Sequence, residues 1–280
     1  MDPGLVHIEV AQLVRQLDGV ASGAAGSGIG RATAAALARR GARLVLFGRR
    51  AEPLQDVQRF LRDAGSGSVV VAGDVTDPTA RTRALAVAAD QLGGLDVLIN
   101  NAGNVRAGRL ERTAEDEIRA MIDVDLLAPI LLTREALALL RASGDSMIVN
   151  VASGIALIGA PFYATYAAAK AGLARFGEAL RRELLDEGIH VMTIYPGATE
   201  TPMMATNLAG PDLGFSRETP EAVAEALVAG IEERALEVIR GGEVRAAMIA
   251  TNRDRPEAVD ERFRGMKDRL EAAVSGHRAL

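Results

Sequence analysis

Short apolar runs alternate with longer segments of helical periodicity along most of this 280-residue chain. The runs are continuously apolar, which is typical of parallel strands that are covered on both faces of a sheet. Their alternation with helices predicts an α/β fold, a single doubly wound, Rossmann-like domain with about seven parallel strands. The clear strands are predicted at residues 43–47, 69–72, 96–100, 147–151, 190–195 and 237–240. The helices are predicted at residues 29–40, 51–63, 78–91, 113–141, 163–187 and 220–234.

The two ends of the chain and one helix depart from this regular pattern. The first strand, within residues 17–22, is short and weakly apolar, although its place in the sheet should be central. Residues 1–16 are predicted to form an N-terminal extension, residues 17–250 the main domain, and residues 251–280 a helical tail. Pro129 lies inside the fourth predicted helix and is expected to kink it, because proline has no backbone N–H to donate.

Composition narrows the classes of function. The chain is 49% apolar and has no cysteine, which excludes disulfides, thiolate nucleophiles and cysteine-based zinc sites. A net charge of −5 argues against nucleic acid as the main partner. No signal peptide is predicted, and the longest uncharged stretch, residues 146–169, carries Asn150 and Pro161, which disfavour a membrane span. We therefore expect a cytoplasmic protein without a membrane partner, and its three histidines and scattered acids predict no metal site.

A glycine-rich turn precedes the first predicted helix. Gly23, Gly26, Gly28 and Gly30 would let the backbone approach a pyrophosphate, and the following helix N-terminus would supply free N–H groups. By itself, such a turn is equally compatible with a phosphate site and with a plain loop. The lack of a following Gly-Lys-Ser/Thr argues against a nucleotide-hydrolysing P-loop.

Two further segments give this turn a specific context. The spacing Gly26-x-Gly28-Ile29-Gly30 is followed by Asp74-Val75 after the third strand and by Asn100-Asn101-Ala102-Gly103 after the fourth. This combination resembles the short-chain dehydrogenase/reductase family, in its single-domain branch, over approximately residues 17–240. The resemblance implies that the turn holds the pyrophosphate of a nicotinamide dinucleotide. It also implies that Asp74 contacts the adenine and that Asn101 and Ala102 support the adenosine side.

The turn departs from the family pattern at its start. Counted back from Gly30, Gly23 stands where the family usually has Thr, and Ala24 stands where it has the first Gly. Alternatively, Ser22 and Gly23 are the usual pair and the turn is one residue longer. We favour a short central strand that still supports the cofactor site over a damaged site.

The residues after the second strand bear on the choice of cofactor. Arg49 and Arg50 follow this strand, and the acidic residue that accepts the ribose hydroxyls in NAD sites is missing. Guanidinium groups suit a ribose phosphate, so the sequence favours NADP over NAD. The alternative interpretation is a pair of solvated arginines in an arginine-rich chain.

A second motif predicts the catalytic residues. Lys170 and Lys267 are the only lysines among 32 Lys and Arg residues, and Tyr166 lies one helical turn before Lys170. Ser153 lies just after the fifth strand, and the three residues match the family's Ser and its Tyr-x-x-x-Lys. A nearby ammonium lowers the pKa of a phenol, so Tyr166 is expected to exchange the proton with assistance from Lys170. Ser153 is expected to hold the substrate oxygen, and the resemblance implies that Lys170 also binds the nicotinamide ribose.

Other positions are assigned by the same resemblance. Asp125 stands where many members carry an Asn that supports a proton-relaying water, so we expect a raised pKa of Lys170 and an altered pH profile. Residues 204–217 are predicted to form either a mobile lid with an apolar substrate wall or a loop packed on its own domain. The implied cofactor contacts are Gly23, Gly26, Ser27, Gly28, Ile29, Gly30, Arg49, Arg50, Asp74, Val75, Asn101, Ala102, Gly103, Tyr166, Lys170, Pro196, Gly197, Thr199 and Thr201.

The sequence therefore predicts an NADP-dependent oxidoreductase that acts on a small-molecule carbonyl or alcohol. The alternative is a dinucleotide-binding protein with weak or lost catalysis that acts by association. The sequence is compatible with four substrate classes: sugar-like, steroid-like, acyl-thioester and small ketone substrates. A carrier-protein substrate would need a basic patch such as Arg175, Arg181 and Arg182, although a solvated helix face is favoured. The family implies a homodimer or homotetramer, and the tail is expected to cover the active site or to join the interface.

Overall fold

A seven-stranded, wholly parallel sheet forms the centre of the protein. The computed structural model describes residues 20–23, 25–63 and 65–279, so the predicted N-terminal extension lies outside the described residues. The strands of the sheet are β1 (Val20–Gly23), β2 (Leu44–Gly48), β3 (Ser68–Ala72), β4 (Val97–Asn100), β6 (Ser146–Val151), β7 (Ile189–Tyr195) and β10 (Glu237–Ile239). Two short pairs complete the strands: β5 (Val105–Arg106) with β11 (Arg278–Ala279), and β8 (Ala198–Thr199) with β9 (Arg217–Glu218).

The strand order is β10-β7-β6-β4-β1-β2-β3, which confirms the predicted doubly wound sheet. The weak first strand pairs centrally: Ala21 lies opposite Val45 of β2 and Leu98 of β4. A central strand obtains its backbone hydrogen bonds from both neighbours, so four residues suffice there despite the poor apolar pattern. The strand ends at Gly23 and the next helix begins at Gly28, which places the glycine-rich turn directly at the end of the sheet.

Helices cover both faces of the sheet. The α-helices are α1 (Gly28–Arg39), α2 (Ala51–Asp63), α3 (Pro78–Val87), α4 (Glu115–Ile122), α5 (Ala128–Ser143), α6 (Ala164–Glu183), α7 (Pro220–Glu232), α8 (Gly242–Asp254) and α9 (Pro256–Val274). Helices α1, α2 and α7 pack on one face, and α3, α5 and α6 on the other. Neighbouring residues of β2 show the division, since Leu46 belongs to the first apolar cluster and Phe47 to the second. None of the helices in the described ranges is long and apolar enough to cross a membrane.

The predicted fourth helix is irregular near Pro129. A π-helical turn, Asp123–Leu127, joins α4 to α5, and Pro129 is the second residue of α5. Proline cannot donate to the carbonyl of Asp125 four residues earlier, which favours a departure from α-helical hydrogen bonding at this point. The side chain of Asp125 on this turn is fully buried.

The helical tail begins earlier than the sequence predicts. Residue 251 lies inside α8, which starts at Gly242, and α9 follows after a single residue. Leu270 and Val274 of α9 pack in a third apolar cluster with Ala209 and Leu213 of the 204–217 segment. The tail and this segment therefore form one packed layer at the carboxyl end of the sheet.

Candidate active site

A cavity of about 610 Å³ opens at the carboxyl ends of the central strands. This is where an open parallel sheet places its ligand site, because the loops after the strands converge there. The sequence-predicted residues that line the cavity are Ser27, Gly28, Ile29, Asn101, Gly103, Ser153, Tyr166, Lys170, Pro196, Gly197, Thr199 and Thr201. The predicted residues that do not line it are Gly23, Gly26, Gly30, Arg49, Arg50, Asp74, Val75, Ala102 and Asp125.

Ser153, Tyr166 and Lys170 come together at the cavity wall. Ser153 follows β6 directly and begins a short 3-10 turn, where its hydroxyl accepts a hydrogen bond from the N–H of Ile155 at 3.4 Å. Tyr166 and Lys170 lie one turn apart on α6, and the Lys170 Nζ is 5.9 Å from the centre of the Tyr166 ring. The Ser153 side chain hydrogen-bonds the Tyr166 hydroxyl. A hydroxyl, a phenol and an ammonium therefore share one part of the cavity.

Lys170 is buried and forms an ion pair with Asp125. Its Nζ lies 3.0 Å from an Asp125 carboxylate oxygen and donates to the Val151 carbonyl at 3.1 Å. Lys170 is 3% exposed and Asp125 is 0% exposed. The second Asp125 oxygen accepts the N–H of Asn104 at 3.1 Å, so the carboxylate is held from two sides. A buried pair of this kind is costly to break, because either charge alone would remain desolvated.

The ion pair explains why residue 103 has no side chain. A Cβ atom at Gly103 would lie 2.9 Å from the Asp125 Oδ1 and 3.4 Å from the Lys170 Nζ. The first distance is too short for a carbon–oxygen contact, so glycine lets the chain after β4 pass close to both charges. The Asn-Ala-Gly segment therefore has a packing role here besides any contact with a cofactor.

Burial and the neighbouring charges shift the pKa values of the site. Burial alone would lower the pKa of Lys170, but the Asp125 carboxylate and the Tyr166 hydroxyl raise it above its ordinary value. Burial raises the pKa of Tyr166, Lys170 opposes the rise, and the negative charge of Asp125 adds to it. At neutral pH the ammonium is therefore charged and the phenol protonated.

The glycine-rich turn fits a dinucleotide pyrophosphate. Ser27 at the start of α1 makes no side-chain capping hydrogen bond, which leaves the N–H groups of the first turn available to an anion. Gly28 has φ of +53°, and a Cβ there would lie 2.9 Å from the methyl carbon of Thr201. The turn is thus open towards the cavity, and only a glycine fits between it and the segment after β7.

The residues predicted for the adenosine side lie at the ends of β2 and β3. Arg49 and Arg50 are exposed after β2. The Asp74 carboxylate accepts the backbone N–H of Thr76 at 2.9 Å and its hydroxyl at 2.7 Å. The buried Arg81, which the sequence did not single out, donates to the carbonyl oxygens of Val75 and Thr76 at 3.0 Å each. The loop after β3 is therefore fixed in shape.

The tail reaches the cavity through a buried polar network that the sequence did not reveal. The Tyr163 hydroxyl is hydrogen-bonded to His277 Nδ1 at 2.7 Å and accepts from Asn207 at 2.9 Å. His277 Nε2 contacts the Met203 carbonyl oxygen at 3.0 Å. His277 and residues of α9 line the cavity, as expected of a tail that covers the site. The other alternative, that the tail joins an interface between subunits, stays a prediction. No spacing signal was available, because these residues are far apart in the chain.

Metal ligands do not cluster in the described ranges. No group of three or more histidine and acidic side chains there could hold a metal ion. His190, interpreted from the sequence as structural, contacts the Ala235 carbonyl oxygen at 2.8 Å beside the edge strand β10.

Comparison with known proteins adds to this geometry. Residues 21–211 match the family model described as short chain dehydrogenase. The chain is 38% identical to a cis-4-hydroxycyclohexanecarboxylate dehydrogenase of Sinomonas cyclohexanicum, over 74% of this chain and 86% of that protein. It is 32% identical to the ketoacyl reductase HetN of Nostoc sp., over 86% of each chain. The crystal structure of a short chain dehydrogenase from Burkholderia cenocepacia in complex with NADP superimposes with a TM-score of 0.73 at 28% identity, covering 80% of this chain and 96% of that one.

Proposed function

Because this chain belongs to the short-chain dehydrogenase/reductase family and is an oxidoreductase of alcohol and carbonyl groups, we propose that it uses NADP and exchanges the substrate proton through Tyr166. The observation that carries the proposal is the convergence of Ser153, Tyr166 and Lys170 on one cavity that also meets the glycine-rich turn. A nicotinamide cofactor bound there supplies or accepts the hydride. The remaining chemistry belongs to side chains of this protein.

In the reducing direction each of the three side chains has a separate task. The Ser153 hydroxyl donates a hydrogen bond to the substrate carbonyl oxygen and keeps it beside the phenol. The Tyr166 hydroxyl donates its proton to that oxygen as the alkoxide develops. The Lys170 ammonium stabilises the phenolate that remains, because an adjacent positive charge favours the charged form of a phenol. In the oxidising direction the phenolate takes the proton back.

The preference for NADP rests on the end of β2. Arg49 and Arg50 are exposed there, and neither takes part in an ion pair among the described side chains. Two free guanidinium groups suit the ribose phosphate of NADP, whereas the ribose hydroxyls of NAD would meet no acid at this position. The NADP-bound relative from B. cenocepacia supports binding of a nicotinamide dinucleotide.

A protein that binds the dinucleotide without catalysis is the second candidate. Asp125 favours this second candidate, because its carboxylate neutralises the positive charge of Lys170, which would otherwise stabilise the phenolate of Tyr166. The central pairing of β1 opposes it, since a weak first strand was the other reason to doubt the cofactor site. The homodimer or homotetramer and the cytoplasmic location remain predictions. For a carrier-protein partner, Arg175 and Arg182 both pair with Glu178 on α6, which favours a solvated helix face.

Turnover of carbonyl compounds tests the proposal. The purified protein is expected to oxidise NADPH in the presence of some members of a panel of ketones and aldehydes, and to use NADPH at least about tenfold more efficiently than NADH. The rates are measured by the loss of reduced cofactor absorbance. An Arg49→Ser, Arg50→Ser double variant, as the control for cofactor choice, should lose the preference and keep activity with NADH. NADPH binding without turnover of any compound would favour the second candidate, and no binding would contradict both.

Replacing Asp125 with asparagine is expected to shift the pH profile to lower pH. The Asp125 charge raises the pKa of Tyr166, so its removal lowers this pKa. Ketone reduction needs the protonated phenol and falls as pH rises through the pKa of Tyr166, so this fall should move to lower pH. Alcohol oxidation needs the phenolate and rises as the pH passes the pKa of Tyr166, so this rise should also move to lower pH. Rates from pH 5 to pH 11 measure both limbs.

The matched control is Asp125→Ala. Asparagine can still accept the hydrogen bond of the Asn104 N–H, whereas alanine cannot. Both variants should show the same pH shift if the charge causes it. An unchanged profile in both, with the proteins folded by circular dichroism, would show that Asp125 does not act on the phenol.

A further inference from the structure

Arg245 places a positive charge at the substrate side of the cavity. It lies in the first turn of α8, is half-buried and lines the cavity. Its guanidinium packs against Gly154, the residue after Ser153: a Cβ at Gly154 would lie 2.8 Å from the guanidinium carbon. A Cβ at Gly197 would lie 3.7 Å from the Arg245 Nη2. The guanidinium thus lies between the loops after β6 and β7, beside the serine that holds the substrate oxygen.

This guanidinium has no partner within the described parts of the chain. Arg245 takes part in none of the ion pairs or side-chain hydrogen bonds there, whereas Arg217, which also lines the cavity, donates to the Asn207 carbonyl. Glu218 acts on Arg245 only at longer range. Its carboxylate binds Arg240 instead, at 2.8 Å, and accepts the Gly197 N–H at 3.4 Å. Burial lowers the pKa of Arg245, because the charged guanidinium loses part of its hydration, and the distant Glu218 charge opposes this change.

The rest of this part of the cavity is mainly apolar. Val244 and Met248 of α8 and Phe263 and Met266 of α9 line it together with Leu213 and Phe215 of the 204–217 segment. A half-buried charge in mainly apolar surroundings favours a bound counter-ion, because a charge-assisted hydrogen bond offsets the loss of hydration. The N-terminal end of α8 adds a favourable dipole for an anion at the same place.

We propose that Arg245 binds a carboxylate of the substrate, so that the enzyme acts on oxo acids or hydroxy acids with an apolar skeleton. This inference rests on the proposed function. The carbonyl carbon then lies at Ser153 and Tyr166, and the carboxylate at the Arg245 guanidinium, which offers two parallel N–H groups. Arg217 and Arg262 also line the cavity but are exposed, so Arg245 is the half-buried guanidinium among its lining residues. One such group matches one negative charge, whereas a phosphate monoester carries nearly two.

Matched pairs of substrates test this assignment. Cyclic and branched oxo acids are compared with their methyl esters, which keep the skeleton and lose the charge, and with the corresponding oxo phosphates. We expect the wild-type enzyme to have a kcat/KM at least about tenfold higher for the acids than for the esters. Arg245→Met should lose this preference, mainly because KM for the acids rises. Arg245→Lys, which keeps a positive charge, should retain part of the preference.

The control is Arg253→Met on the same helix. Arg253 is exposed and pairs with Asp254, so this variant should keep the preference for acids. The inference is overturned if the wild type has the same kcat/KM for the esters as for the acids, or a higher kcat/KM for the oxo phosphates. It is equally overturned if Arg245→Met lowers kcat/KM for acids and esters by the same factor. It is also overturned if Arg245→Met weakens NADPH binding, which would assign the residue to the cofactor. A wild-type enzyme that turns over neither acids nor esters but reduces other ketones or aldehydes overturns the inference alone. One that turns over no carbonyl compound contradicts the proposed function itself.

Discussion

Replacing Tyr166 with phenylalanine is expected to lower kcat for ketone reduction by about 1000-fold, because the proposed proton donor of the reaction is removed. The substitution deletes one oxygen atom and keeps the ring, which packs against the third apolar cluster. The affinity for NADPH should therefore stay within about twofold, since the glycine-rich turn and Lys170 are unchanged. Steady-state kinetics and a fluorescence titration with NADPH measure the two effects separately.

A matched hydroxyl deletion elsewhere controls for packing. Tyr195→Phe removes a hydroxyl that donates to Glu237 at 2.8 Å, outside the cavity, so kcat should be little changed. Similar losses in both variants would indicate general damage to the fold. A Tyr166→Phe enzyme with nearly full kcat would refute the role of the phenol. Because burial raises the pKa of Tyr166, the wild-type phenol is protonated at neutral pH and ready to donate.

Replacing Lys170 with arginine is expected to lower kcat by about 100-fold, although the charge is conserved. The Lys170 Nζ fits between the Asp125 carboxylate at 3.0 Å and the Val151 carbonyl at 3.1 Å, in a site that is almost closed to solvent. The backbone of Gly103 passes so close to the Nζ that even a Cβ added there would lie 3.4 Å from it. Little space therefore remains for a planar guanidinium. The larger group must displace the backbone after β4 or move away from the phenol.

Lys267 provides the control, because it is the other lysine of the chain and lies exposed on α9. Lys267→Arg should leave kcat and the midpoint of thermal unfolding unchanged. Lys170→Arg should lower the midpoint as well as kcat, since a buried ion pair is distorted. A fully active Lys170→Arg enzyme would show that the compact ammonium is not required.

The candidate site could be predicted in part because its motifs are local in sequence. Tyr166 and Lys170 share a helix face at a fixed spacing, and the glycine-rich turn adjoins the helix whose N-terminus it exposes. The position of Asp125 was also recognisable from its context. The direct ion pair of Asp125 with Lys170 could not be predicted, because that contact depends on the π-helical turn before Pro129 and on the close approach of Gly103.

Contacts between distant segments could not be predicted. Arg245 is one of many arginines in the sequence, and only the packing of α8 beside the loop after β6 brings it next to Ser153. His277 reaches Tyr163 in the cavity wall only because α9 packs on the 204–217 segment. The beginning of the tail at Gly242 was missed for the same reason, since α8 has no fully buried residues and so a weak apolar pattern.

The sequence by itself determined the parallel α/β sheet, the family and the residues whose chemistry suits hydride transfer. It could do so because strand and helix periods, turn glycines and the Tyr-x-x-x-Lys spacing are each contained within a few residues. The tertiary structure decided how the charges are paired: Lys170 with Asp125, Glu218 with Arg240, and Arg245 with nothing among the described residues. Pairing depends on distances and on exclusion of water, and both arise only when segments far apart in the chain pack together.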